Sequence, residues 1–134
     1  MEPTLTKRIT VPAAEEAMGR YVPVLDHGFV ALLDYAGGDL AVERAARVSY
    51  GPAARPARDT AALLDYLYSN AHTSPSEMCN VTLHMGLPIF VARQLIRHRT
   101  FRFNEVSARY AELPMLFYTP AQEHTQRQST TNRQ

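Results

Sequence analysis

Cysteine is nearly missing from this chain: Cys79 stands alone. An internal disulfide is excluded, and a reducing, cytoplasmic setting is the expectation. Lysine is as scarce, with Lys7 the single one, so almost all basic charge is arginine, the residue suited to planar anion contacts. Neither sign of charge dominates. Fourteen Lys and Arg against 13 Asp and Glu leave +1 on 134 residues, which gives no global electrostatic case for nucleic acid or a membrane surface as partner. No run is long and apolar enough to span a bilayer, and the N-terminus lacks the charged-then-apolar order of a signal peptide. A Gly-rich phosphate loop and a clean βαβ alternation are both missing, which argues against a dinucleotide-binding domain of the doubly wound type. Without a Cys-x-x-Cys motif or two histidines at ligand spacing, no metal is expected. There is no internal repeat, and the length is that of one ordinary domain.

What the chain does have is concentrated between Arg97 and Tyr110. Four arginines, a histidine, an asparagine, a glutamate and a serine fall within these fourteen residues, with Phe101, Phe103 and Tyr110 threaded between them. Gly86-Leu87-Pro88 ahead of them reads as a stop and a helix start, with Pro at the first helical position. Ile89, Phe90, Ala92, Leu95 and Ile96 then give a helical pattern running to about Arg99. Gln94 and Arg97, three apart, share a face. Two readings of Arg97-His98-Arg99 in the last turn compete. As caps, cations there satisfy terminal carbonyls and the helix dipole, at about 0.3–1 kcal/mol each. As an anion site, they offer bidentate guanidinium contacts to phosphate. Spacing alone leaves the two level. The following polar run favours the anion site, because Asn104, Glu105, Ser107 and Arg109 need partners wherever they are buried.

The rest of the chain reads as an α+β fold: a small mixed sheet packed with helices. Residues 1–21 form a leader with a possible short helix from Pro12 to Met18 and no assigned role. Val22 to Tyr35 reads as two extended pieces around the Asp26-His27-Gly28 turn. Phe29–Leu33 has the look of a strand buried on both faces. After Gly37-Gly38, Asp39 is a plausible N-cap for a helix from Leu40 to about Ser49, with Val42, Ala45, Ala46 and Val48 packed and Glu43, Arg44 and Arg47 wet. Asp59 or Thr60 caps a second helix to about Asn70, with Leu63, Leu64, Tyr66 and Leu67 apolar; Tyr66 and Tyr68 read as core or rim aromatics. Met78 to Met85 alternates, which places Cys79, Val81, Leu83 and Met85 inward and His84 on the surface. Cys79 reads as a small core residue, not a nucleophile. Leu113–Pro120 suggests a short strand between prolines, and residues 121–134 a polar tail with no fold of its own.

Arg97-His98-Arg99, seven residues and then Ser107, with Asn104-Glu105 and Arg109-Tyr110 in place, resembles the signature of the flavin-dependent thymidylate synthases. The resemblance runs from about Asp26 to the chain end. It takes in Asp39–Tyr50, similar to the family's first helix, and His72-Thr73-Ser74-Pro75-Ser76-Glu77, similar to its segment in which a His precedes Ser or Thr, Pro and Glu. Read without the resemblance, His72 and Glu77 are an ordinary loop pair. Two positions depart from the pattern: Met78, where many members have a second His, and Arg102, where Ser is usual.

The resemblance implies reductive methylation of dUMP to dTMP, with methylenetetrahydrofolate as one-carbon donor, FAD as cofactor and NADPH as reductant. By the same carry-over, the nucleotide would be bound by Gln94, Leu95, Ile96 and Arg97 and by Glu105, Val106, Ser107, Ala108 and Arg109. The flavin would be held by Arg97, His98, Arg99 and Glu105, with Ser74 from a neighbouring subunit, Glu77 lining the same site and His72 facing the cofactor or folate region. Ser107 is then a nucleotide ligand, in agreement with the absence of any visible His–Asp pair to activate it as a nucleophile. The resemblance further implies a homotetramer, with the signature helix and loop near a subunit interface. It covers the family's N-terminal half, with residues 22–120 as the domain. The family's catalytic arginine would lie beyond Gln134, so no catalytic residue is assigned, and a truncated product, a fragment or one half of a split protein is expected. The alternative function is a non-catalytic remnant that binds nucleotide or flavin at most.

Overall fold

The computed structural model describes residues 7–53 and 55–125. They fall into two compact units, one ending at Gly86 and one beginning at Leu87. Residues 1–6 of the expected leader and 126–134 of the expected tail lie outside the described residues.

The first unit holds a three-stranded sheet in the order β1 (Tyr21–Val24), β2 (Gly28–Ala36), β3 (Asn80–Gly86), with both strand pairs antiparallel. The expected mixed sheet is thus an antiparallel ladder, with one isolated parallel bridge between Met18 and Leu32 beside it. The Asp26-His27-Gly28 turn joins β1 to β2 as its composition predicts, and a bulge between Leu32 and Asp34 leaves Leu33 as the extra residue. The register sets Val22, Val30 and Met85 in one row and Leu32 and Leu83 in the next, on one face. Helices leave much of that face open: Val22, Val24, Val81, Leu83 and Met85 are all exposed, Val81 at 68%, and so is Leu33 at the bulge. The expectation that Val81, Leu83 and Met85 point inward, and that Phe29–Leu33 is covered on both sides, is therefore corrected; of the latter run only Ala31 is buried. Alternation tells which residues share a face, and not whether another layer covers it.

The opposite face carries an aromatic cluster. Tyr21, Phe29 and His84 have ring centroids 4.9–5.8 Å apart, and the Tyr21 hydroxyl is 3.3 Å from His84 Nδ1. Gly86 makes room for it, since a Cβ there would sit 2.6 Å from the Phe29 ring.

The expected helix after Gly37-Gly38 is α2 (Asp39–Arg47), preceded by α1 (Pro12–Ala17) and followed by a 3-10 turn Val48–Ala53 and by α3 (Thr60–Ser69). Asp39 is the first helical residue; Gly38 takes the N-cap place, with no side-chain cap. Of the two expected caps, Asp59 serves α3, accepting from the Ala62 N–H at 3.1 Å, and Thr60 is the first helical residue. Val42, Leu64 and Leu67 form the core between α2 and α3, with Ala46, Leu63 and Cys79 packed on it. Cys79 is half-buried and holds Gly38 through its Sγ, which accepts from the Gly38 N–H at 3.3 Å. A Cβ on Gly37, at φ 88°, would meet that sulfur at 2.8 Å. Tyr66 and Tyr68 stay exposed at the rim.

Two positions on α2 differ from the pattern. Val48 is 75% exposed because the helix gives way to the 3-10 turn before it reaches the core. Glu43, expected to be wet, is 6% exposed. Its carboxylate accepts from the Ala57 N–H at 2.5 Å and the Thr60 hydroxyl at 2.7 Å, and pairs with Arg47 Nε at 3.6 Å. The loop after α2 supplies partners that no helical wheel contains, and the Ala57 N–H, with Thr60 and Arg47 behind it, holds this carboxyl below the usual range.

The leader is tied to β2. The Tyr35 phenol accepts from the Val11 N–H at 2.8 Å and donates to Glu15 at 2.5 Å, while the Arg8 guanidinium lies 5.0 Å over its ring. The Glu15 hydrogen bond pushes the phenol's pKa up.

The second unit contains α4 (Ile89–Ile96) and, after it, mostly irregular chain, with a 3-10 turn Gln122–His124 inside the expected tail. The strand expected within Leu113–Pro120 does not form; two prolines remove donors, and no described strand pairs with it. Among the described residues no helix is long and apolar enough to cross a membrane.

Candidate functional site

Pro88 is the N-cap of α4, one place earlier than its expected role, and its carbonyl accepts from the Val91 and Ala92 N–H groups. The helix ends at Ile96, earlier than the apolar pattern suggests. Arg97, His98 and Arg99 continue it as a tightened turn, each N–H bonded to the carbonyl three residues back at 3.1–3.3 Å. Arg99 then adopts φ 50°, the left-handed conformation usual at a helix exit but costly for a residue with a Cβ. This non-glycine residue is held in a sparsely populated conformation inside the polar cluster, where strain and function tend to coincide.

On one side of α4 lies a cavity of about 560 Å³ lined by Ile89, Phe90, Arg93, Gln94 and Arg97. That volume falls within the range of small-molecule sites, about 300–1,000 Å³. The expected pair Gln94 and Arg97 is brought together here. Leu95 and Ile96, half-buried, do not line the cavity. Ile89, Phe90 and Arg93 were not anticipated from the signature. The signal was present: Ile89 stands four before Arg93, Phe90 four before Gln94 and Arg93 four before Arg97, the spacing of neighbours on one helix face. Phe90 is also 5.9 Å, ring to ring, from Tyr118.

Beyond the helix, the His98 ring meets Phe101 edge-on at 6.3 Å. Ser107 organises a turn: its carbonyl accepts from the Tyr110 and Ala111 N–H groups at 3.0 Å, and its Oγ accepts from the Arg109 N–H at 3.3 Å. No described histidine or carboxylate hydrogen-bonds to that hydroxyl, so no general base is set against it. The Arg109 guanidinium lies 5.6 Å over the Tyr110 ring. Glu105, Val106, Ala108 and Arg109 are exposed. None of Arg93, Arg97, Arg99, Arg102 and Arg109 is ion-paired with a described residue; the three ion pairs found all lie in the first unit.

The second polar segment belongs to the first unit. α3 closes with two hydrogen bonds, His72 N–H to Leu67 carbonyl at 2.8 Å and Ala71 N–H to Tyr68 carbonyl at 3.0 Å, around Ala71 at φ 55°. This is the Schellman arrangement with alanine where glycine is usual. It directs the chain into the 3-10 turn Ser74–Met78, packed on α2. The His72 ring stands edge-on to Tyr66 at 6.2 Å, and His72, Ser74 and Glu77 are all exposed. Among the described residues no group of three or more His, Cys, Asp and Glu is placed to hold a metal ion.

The chain is thus an α+β protein whose helix-side cavity joins one aromatic ring, a carboxamide and two guanidiniums that have no ion-pair partner among the described residues. The family is more particular. Residues 31–134 match the family described as thymidylate synthase complementing protein, and the chain belongs to it. Similar relatives carry the name flavin-dependent thymidylate synthase. The protein from Rickettsia bellii is 49% identical over 96% of this chain and 44% of its own length. That from Anaplasma marginale is 51% identical over 96% and 44%, and that from Ehrlichia ruminantium 49% over 100% and 45%. The chain thus spans less than half the length of these relatives. Among solved structures, the UMP/dUMP methylase PolB from Streptomyces cacaoi bound with 5-Br UMP is similar, at a TM-score of 0.63 and 42% identity over 76% of this chain and 43% of that one. The same enzyme bound with 5-Br dUMP gives a TM-score of 0.64 and 45% identity over 70% and 42%.

Proposed function

We propose that this chain supplies nucleotide- and flavin-binding elements of an enzyme that reductively methylates dUMP to dTMP. The observation that carries the reading is the α4 cavity, in which Gln94 and Arg97 meet the Phe90 ring, in a family with a solved neighbour bound to 5-Br UMP and 5-Br dUMP. Arg97 binds the nucleotide phosphate and Gln94 a ring or sugar edge, with Leu95 and Ile96 as the backbone between them. Glu105, Val106, Ser107, Ala108 and Arg109 form the nucleotide's second wall, and the Ser107 hydroxyl acts there as a ligand.

The donor set fits a flavin with a pyrophosphate. Three consecutive basic residues, Arg97, His98 and Arg99, leave a helix end together, and neither guanidinium has a carboxylate partner among the described residues. Arg97, His98 and Arg99 hold the FAD phosphates, Glu105 meets the flavin away from them, Ser74 contacts the cofactor from a neighbouring copy, Glu77 lines the same site, and His72 faces the cofactor or folate region. A bound flavin supplies the hydride chemistry; the protein's residues bind, orient and exclude water. NADPH serves as reductant and methylenetetrahydrofolate as one-carbon donor. The working unit is a cytoplasmic homo-oligomer, a tetramer, in which residues 22–120 form the domain and the α4 exit lies near a subunit interface.

Tritium release from dUMP labelled at C5, with FAD, NADPH and methylenetetrahydrofolate present, tests the reading; release above the no-enzyme rate is expected. A second reading rests on the α4 cavity alone, whose groups can hold a ligand whether or not turnover follows. In it, the same residues bind nucleotide or flavin without turnover. A yellow protein that binds dUMP but releases no tritium is its outcome, and a colourless protein that binds neither ligand defeats both readings.

A further inference from the structure

Arg93 belongs to the α4 cavity but not to the signature. It lies one turn before Arg97, and both guanidiniums line the same concavity. Like charges at this spacing repel across a helix face by about 0.2–0.5 kcal/mol unless something neutralises them. Neither side chain is ion-paired with a described residue. The repulsion would be relieved by an anion held between them. A phosphate monoester suits the pair, because at neutral pH it carries about −1.5 to −2 charges, more than one guanidinium balances. Gln94, between them in sequence and on the same cavity, is left for a neutral polar edge, and Phe90 offers its ring to an aromatic base.

We infer that Arg93 is a second phosphate-binding residue, closing with Arg97 on the 5′-monophosphate of the nucleotide and so making this cavity selective for nucleoside monophosphates over nucleosides. The inference rests on the proposed nucleotide function and adds a residue and a specificity to it. Phosphate affinity gained through Arg93 should rise as pH passes through about 6, where the monoester takes its second charge.

The test measures binding of dUMP, deoxyuridine, FAD and riboflavin to the chain and to Arg93→Gln and Arg93→Lys, with circular dichroism to show that each variant is folded. Arg93→Gln should weaken dUMP binding by about 10- to 100-fold, the loss expected for one charged hydrogen-bonding partner. Deoxyuridine binding should stay within about twofold, and Arg93→Lys should restore part of the dUMP affinity by keeping a charge without the bidentate fork. Equal weakening of dUMP and deoxyuridine would make Arg93 a merely structural residue and overturn the inference. So would a loss confined to FAD relative to riboflavin, which would give the phosphate contact to the flavin. If the unaltered chain binds dUMP and Arg93→Gln binds it unchanged, the inference alone fails; if the unaltered chain binds neither nucleotide nor flavin, the underlying function fails with it.

Discussion

Replacing Glu43 by alanine removes an acceptor that two donors bond, the Ala57 N–H and the Thr60 hydroxyl, and the ion-pair partner of Arg47, whose Nε is 3.6 Å away and has no hydrogen bond of its own. A hydrogen bond to a charged group is worth about 1.5–3 kcal/mol, and breaking a buried pair by removing one partner costs about 3–5 kcal/mol. Arg47 keeps 28% of its side chain exposed, so water takes over part of its stranded charge, and a loss of about 3 kcal/mol is expected. For a unit of this size, each kcal/mol moves the melting temperature by about 4–8 °C, which gives a drop of about 12–24 °C. Glu43→Gln keeps an acceptor and should lose about 1 kcal/mol. The folded carboxyl titrates below its ordinary value, so its charge stabilises the fold above that value, about 4.3, and the benefit is lost as pH falls through the folded pKa. The gap between native protein and Glu43→Gln should therefore close in acid. Thermal melts by circular dichroism between neutral pH and pH 3 would show both effects. A Glu43→Ala protein melting within a couple of degrees of the native one, or a Gln gap that persists in acid, would refute the reasoning. The consequence reaches the second polar segment, because α2 and α3 support the turn that presents Ser74.

Two further substitutions probe the same unit. Ala71→Gly relieves the left-handed conformation at the end of α3, less the unfolded-state entropy that glycine adds, and should stabilise by about 0.5–1 kcal/mol in a urea titration; destabilisation would show that the Schellman end is not strained. Gly86→Ala places a Cβ against the Phe29 ring and should cost about 1–3 kcal/mol, with a changed near-ultraviolet tyrosine signal as the Tyr21–Phe29–His84 cluster shifts. An unchanged urea midpoint and spectrum would show that the ring yields freely.

Elements were more legible in the sequence than their surroundings. The Asp26-His27-Gly28 turn, the Asp59 cap and α4 follow from turn chemistry, capping and periodicity, which are local and written in neighbouring residues. Coverage is not local. Val81, Leu83 and Met85 share a face as their alternation requires, yet nothing in a period of two says that a helix lies over them. Glu43 looked wet because its partners, Ala57 and Thr60, come from a loop and the next helix. In the site, Gln94 and Arg97 were legible from spacing, whereas Arg93 stands outside the consecutive Arg97-His98-Arg99 and joins the cavity only through the four-residue step of the helix. The strain at Arg99 had no sequence signal, since an arginine at a helix exit ordinarily serves as a cap.

The most direct measurement is dUMP affinity in Arg97→Ala, by equilibrium dialysis on protein whose circular dichroism matches the native spectrum. Loss of the guanidinium should weaken binding by about 10- to 100-fold while leaving the helix content intact. An affinity equal to that of the native chain would contradict the assignment of the α4 exit as a phosphate cradle and return Arg97 to a capping role.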